Sequence, residues 1–230
     1  MSLMIPAVAA PHPSLDAPVP APDAPAATAS VPPIDPALRD TRPIQVVLHA
    51  LRSPEAWTAA WTAEPRGRPA DLGALGALLS VAALGVGVYG AAVHVPEGAQ
   101  AAAAGALAAA GGAGIAWMAS LPTLLIVGAL LGSPLRGRAV LFAAAVTVSF
   151  AGLAMLASVP VLWFFAYAAP TLRALVVLAS FLGVGICMAD VFLRVMRRLD
   201  AARFLHLLWL GLLGLIGAEM FAVLGLFRGL

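Results

Sequence analysis

The sequence predicts an all-α fold: a polytopic membrane helix bundle with five transmembrane helices, preceded by interfacial amphipathic helices and a disordered N-terminal tail. Hydrophobic residue types make up 62% of the 230 residues and charged types 10%, whereas about 25% of a soluble domain is charged. The apolar residues form long runs, and arginines concentrate in alternate breaks between those runs. A soluble enzyme or a nucleic-acid-binding domain of this length could not bury so much apolar surface. The net charge of +2 gives no reason to expect a nucleic-acid partner.

Residues 1–42 are predicted to be a disordered, Pro- and Ala-rich cytoplasmic tail. Proline recurs through this stretch, as in Ala17-Pro18-Val19-Pro20-Ala21-Pro22, and each proline removes a backbone donor that a helix needs. The stretch has too little apolar surface to offset the entropy that ordering would cost.

Residues 43–70 are predicted to form amphipathic helices that lie in the membrane interface. A first helix has apolar residues at the spacing of one helical face: Ile44, Val47, Leu48 and Leu51. Ser53-Pro54-Glu55 has the pattern of a new helix start, with a capping serine, a first-turn proline and a first-turn acid. Trp57 and Trp61 are four residues apart and are predicted membrane-interface anchors. Packing of this segment against the protein's own spans is the alternative, and the two are compatible.

Residues 71–230 are predicted to form the five-helix transmembrane domain. Each apolar run has the length of about 20 residues that a helix needs to cross the hydrocarbon core, about 30 Å. Alternation of polar and apolar residues, which a membrane strand requires, is absent from the sequence. The five predicted spans are 72–93, 106–131, 139–165, 172–195 and 204–227.

The arginines predict the orientation of the spans. All 13 positive residues are arginine, and they alternate between rich and poor breaks. The rich breaks hold Arg66, Arg68, Arg136, Arg138, Arg194, Arg197, Arg198 and Arg203. Since positive residues favour the cytoplasmic side, we expect a cytoplasmic N-terminus and an extracytoplasmic C-terminus. The lipid bilayer is the expected partner, together with other membrane proteins, and the bacterial cytoplasmic membrane is the expected location.

Short motifs in the chain resemble bacterial members of the Yip1-like superfamily. They are the stretch Leu51–Trp57 before the first span, Leu121–Ser133 at the second, Val159–Phe165 in the third and Gly217–Met220 in the fifth. The resemblance covers roughly residues 44–228. It implies a five-span scaffold or trafficking-type membrane protein with no family-wide catalytic residues.

Three acidic or basic residues within the spans are candidate functional residues. Glu219 lies near the middle of the fifth span, where an ionised carboxylate is costly. It is either a proton- or ligand-binding group or a neutral carboxyl group that donates a hydrogen bond to a neighbouring span. Asp190 precedes Arg194 by one helical turn, in the order that favours an ion pair. The pair is either a snorkelling interface pair or a site for a coupling ion.

Pro122 and Pro160 interrupt the second and third spans, and either kink these helices or break them as in transporters. The sequence contains no catalytic signature, no cofactor motif and no metal-ligand spacing. We therefore expect a non-catalytic membrane protein for membrane organisation or a subunit of a membrane assembly. The alternative is a small transporter or channel that uses Glu219 and the two proline-containing spans.

Overall fold

The computed structural model describes residues 41–63, 67–130 and 136–199, together with the single helical residues Gly211, Gly214 and Ala218. In the three ranges every regular element is an α-helix or a 3₁₀ turn, and none is a strand. The predicted all-α class is therefore confirmed for the described residues. The helices are α1 Pro43–Arg52, α2 Pro54–Ala63, α3 Arg68–His94, α4 Ala99–Leu130, α5 Gly137–Ala168 and α6 Arg173–Leu199.

The boundary between α1 and α2 is set by local sequence. Ser53 leaves the helical conformation, with φ −146° and ψ 72°, while its N–H still bonds to the His49 carbonyl at 3.0 Å. Pro54 then begins α2, where the missing proline N–H costs nothing because a first-turn N–H has no partner within the helix. Both short helices therefore stand where the serine–proline pattern predicts them.

The four helices α3 to α6 are each long and apolar enough to cross a membrane, with mean hydropathies between 1.6 and 2.3. They fit an integral membrane protein. The predicted fifth span, 204–227, lies outside the described residues except for three isolated positions, and the predicted tail lies outside them altogether.

The helix that holds the predicted second span extends beyond it at the N-terminal end. α4 begins at Ala99, whereas the hydropathy of the sequence placed the span at 106–131. The stretch before Ile115 is rich in alanine and weakly apolar, but alanine has the highest helix propensity of all residues. Low hydropathy therefore marked a change of composition and not a helix end.

The four long helices contact one another in the order α4–α3–α5–α6. A 3₁₀ turn, Val95–Glu97, joins α3 to an antiparallel α4, and a second, Pro170–Leu172, joins α5 to an antiparallel α6. α5 is the central helix, since 72% of its most apolar window is buried against 22–33% for the other three. We call the end where α3 and α5 begin the arginine-rich end, and the other the arginine-poor end. On the long helices and the residue before α5, the described arginines at the first are Arg68, Arg136, Arg138, Arg194, Arg197 and Arg198.

Two glycine pairs bring the helix backbones into contact. α3 and α5 meet at Gly85 and Gly152, where a Cβ atom on Gly152 would lie 2.7 Å from the Ala82 Cα atom. α3 and α4 meet at Gly90 and Gly105, where a Cβ atom on Gly90 would lie 2.5 Å from the Gly105 carbonyl oxygen. Small residues allow such approach, which is how membrane helices gain packing energy when lipid and protein are equally apolar.

Candidate functional site

An apolar cleft runs between α4 and α6, with α3 and α5 as its floor. Its volume is about 430 Å³, within the range of small-molecule pockets. All the described residues that line it are apolar, among them Leu79 of α3, Trp117 of α4, Val148 of α5 and Met188 of α6. The cleft can therefore accept hydrocarbon groups, but its described walls provide no ligand for an ion or a polar substrate.

The buried serine and threonine hydroxyls of the described helices are bonded to backbone carbonyls. Thr58, Ser120 and Thr147 donate within their own helices over 2.7–2.8 Å. Ser149 lies 2.8 Å both from the Ala145 carbonyl and from the Leu78 carbonyl of α3. All the bonds of these hydroxyls go to backbone carbonyls and none joins one hydroxyl to another, so the groups do not form a chain along which a proton or ion could pass.

Tyr89 adds one further buried hydroxyl, in the interface between α3 and α6. Its ring packs edge to face against Phe181, with the ring centroids 5.9 Å apart. The side chain is only 3% exposed. The Ser180 side chain of α6 lies beside the hydroxyl, and the other residues packed around the ring in the described core are apolar.

At the arginine-rich end, a two-bond ion pair joins α3 to α5. Arg138 donates from Nε to Asp71 Oδ2 at 2.9 Å and from Nη2 to Asp71 Oδ1 at 2.8 Å. Both side chains are largely shielded from solvent, with 26% and 21% exposure. The guanidinium carbon also lies 5.5 Å from the centroid of the Phe142 ring, within the range of a cation–π contact.

The same phenylalanine is the centre of an aromatic cluster with α2. Trp57 and Trp61 stack at 5.1 Å, and their rings lie 5.7 and 5.6 Å from that of Phe142. Both tryptophans are 0% exposed. Packing against the protein's own spans is thus what the structure shows for these two rings. Their buried surfaces are not available to lipid, so the prediction that these side chains are the interface anchors is not supported by their position.

Exposed aromatic residues lie instead at the arginine-poor end of α5. Trp163 and Tyr167 are 57% and 58% exposed, and their rings meet edge to face at 5.5 Å. Trp163 is 25 residues along α5 from Arg138, a rise of about 38 Å, close to the full thickness of a bilayer with its interfaces. Sequence reasoning missed this pair, although its four-residue spacing equals that of the predicted anchors.

A second set of polar contacts joins α3 to α6 at the arginine-poor end. Arg173, at the start of α6, donates to the Val93 carbonyl near the end of α3 and lies 3.3 Å from Glu97 Oε1. His94 Nδ1 lies 3.0 Å from the other oxygen of Glu97. A cation at the C-terminal end of a helix satisfies its last carbonyls and its dipole. In the sequence, the presence of a single arginine in an otherwise arginine-poor break could have predicted this contact.

The predicted site residues are not gathered into one place. Asp190 and Arg194 form the expected ion pair at 2.9 Å, with 63% and 45% side-chain exposure. Pro122 lies inside α4 and Pro160 inside α5, and both helices continue through their prolines. Pro122 is close to the arginine-rich end, whereas Pro160 lies in the other half of the bundle. Glu219 lies outside the described residues.

No protein family, curated protein or solved structure matches the chain.

Within the three described ranges there is no group of three or more His, Cys, Asp and Glu side chains that could hold a metal ion. Cys187 is a half-buried free thiol on α6.

Proposed function

We propose that this chain is an integral membrane protein without catalytic or transport activity, which serves in membrane organisation or as a subunit of a membrane assembly. The observation that carries the proposal is the apolar interior of the described bundle. The cleft has apolar walls, and the buried serine and threonine hydroxyls bond to backbone carbonyls. A pathway for an ion or a polar substrate needs polar groups that face a cavity.

The structure of the proline-containing helices also favours this proposal over a transporter. Transporters of the broken-helix type expose unwound carbonyls near the middle of the membrane. α4 and α5 are continuous through Pro122 and Pro160, so neither helix has an unwound segment at its proline. The transporter alternative then depends on Glu219 alone.

The orientation and the family are parts of the same proposal. The arginine-rich end is assigned to the cytoplasm because positive residues favour that side. The bacterial cytoplasmic membrane and membership of the Yip1-like superfamily are supported by the short sequence motifs given above.

Proton flux into liposomes tests the absence of proton transport through Glu219. We would reconstitute the full chain into vesicles that contain a pH-sensitive dye and impose a membrane potential. We expect the dye to respond at the rate of protein-free vesicles, both for the natural chain and for Glu219→Gln. A faster response that Glu219→Gln abolishes, in a variant that folds normally, would establish the transporter instead.

A native gel of mildly solubilised membranes tests the assembly role. A subunit of an assembly should migrate as a particle larger than the same chain purified in detergent. Migration of the membrane extract at the size of the purified chain would contradict that part of the proposal.

A further inference from the structure

Helix α1 turns apolar side chains away from the bundle. Ile44 and Leu48, one helical turn apart, are 74% and 54% exposed. Val46 and Ala50, on the other side of the helix, are 0% exposed. Side chains four residues apart share a face of a helix, so α1 has one face in the protein core and a second apolar face that the described protein leaves uncovered. This second face includes two of the residues from which the sequence predicted amphipathic character.

The charges beside this second face are positive. Arg52 follows Leu48 by one more turn and is exposed, and Arg42, also exposed, immediately precedes the helix. From Arg42 to Pro54 the chain has no acidic residue, and Asp40 stands two residues before Arg42. The next acidic residue along the chain, Glu55, has one carboxylate oxygen buried. We define the α1 outer face as Arg42, Ile44, Leu48 and Arg52.

The position of α1 in the bundle places this face near a membrane surface. α1 contacts α2, α3 and α5. Trp57 and Trp61 of the adjoining α2 pack on Phe142, which is five residues into α5, a rise of about 8 Å. The two short helices therefore lie toward the arginine-rich end, the region where amphipathic helices rest between headgroups and acyl chains.

We propose that the α1 outer face binds anionic phospholipids of the leaflet at the arginine-rich end. Ile44 and Leu48 enter the boundary of the acyl chains, and Arg42 and Arg52 lie at the level of the phosphate groups. Arginines near a membrane surface attract anionic lipids, and apolar residues on the same face add the affinity that a surface helix needs. The proposal requires a membrane-embedded chain but is independent of whether the protein assembles or transports.

Fluorescence quenching by brominated lipids identifies the lipid beside this face. The full chain with Cys187→Ser and Leu48→Cys would carry a bimane dye at position 48, in nanodiscs of phosphatidylcholine and phosphatidylglycerol at equal mole fractions. Bromine is placed on the acyl chains of one lipid or the other. A dye at Leu182→Cys, an α6 position that is 61% exposed, serves as the control for ordinary lipid contact.

We expect brominated phosphatidylglycerol to quench the dye at position 48 more strongly than brominated phosphatidylcholine, and both to quench equally at position 182. The preference should correspond to roughly a fivefold higher affinity per arginine. It should shrink as salt rises from about 0.1 M to 1 M, because the Debye length falls from about 10 to 3 Å. Arg42→Gln with Arg52→Gln should abolish it, whereas Arg197→Gln with Arg198→Gln, at the same end, should retain it.

Two results would overturn the proposal. Equal quenching by the two lipids at position 48 would mean that the arginines do not select anionic lipid. No quenching by either would place the face in water or against a protein partner. Serine has nearly the shape of the half-buried Cys187, and the other substituted residues are exposed, so we expect the variants to fold. Elution as a single species in size-exclusion chromatography checks this.

Discussion

The crossing of α3 and α5 at Gly152 permits a quantitative test of how the bundle is packed. A methyl group at this position would lie 2.7 Å from the Ala82 Cα atom and 2.8 Å from the Ala82 carbonyl oxygen. Both neighbours are backbone atoms, so no rotation of a side chain can relieve the overlap. Gly152→Ala must therefore push the two helices apart, with loss of dispersion contacts along the crossing.

The expected cost follows from overpacking. Extra methylene groups in a well-packed core cost about 1–3 kcal/mol. Alanine recovers up to about 1 kcal/mol of helix propensity, which offsets part of this cost. Gly183→Ala on α6 is the matched control, because a Cβ atom there has nothing within 4 Å. It should gain the same propensity without the overlap and be as stable as the natural chain, or more so.

The assay is reversible unfolding of the full chain in mixed micelles, followed by helicity as the fraction of denaturing detergent increases. Gly152→Ala should lower the free energy of unfolding relative to Gly183→Ala. Equal stability of the two variants would show that the helices do not approach as closely as the structure has them, and the reasoning would be refuted.

Two other predictions concern the polar contacts and the orientation. Asp71→Asn keeps the shape of the side chain but removes the charge that Arg138 contacts, and should cost about 1.5–3 kcal/mol in the same unfolding assay; an unchanged midpoint would contradict this. With five spans, a reporter fused after Leu230 should be extracytoplasmic and one within Arg194–Arg203 cytoplasmic. Reporter activity in the same compartment for both would refute that topology.

The sequence was sufficient to predict the helices of the described ranges. Apolar runs predicted α3 as 72–93, where the structure has Arg68–His94, and α5 as 139–165, where it has Gly137–Ala168. Local rules succeeded because a membrane helix satisfies all its backbone bonds within one segment. The start of α4 was missed because hydropathy and helix propensity differ for alanine.

The direction in which a helix faces could not be predicted. In a soluble protein an apolar face is a buried face, but in a bilayer the outside is as apolar as the inside. The spacing of Trp57 and Trp61 was therefore compatible with lipid and with protein, and only their contact with Phe142 shows which one they meet. The sequence also could not show which of the 22 glycines lie at helix crossings, because the two close crossings depend on tertiary packing.

The polar contacts at the two ends of the bundle constrain how its helices can move. Asp71 and Arg138 hold α3 to α5 at one end, and Arg173 holds α6 to the end of α3 at the other. Between them, Gly85 and Gly152 leave no space between α3 and α5. Rocking of α5 and α6 against α3 would break both polar contacts and the glycine crossing together. A bundle fixed at its ends and centre is suited to presenting a constant outer surface to lipid or to other membrane proteins.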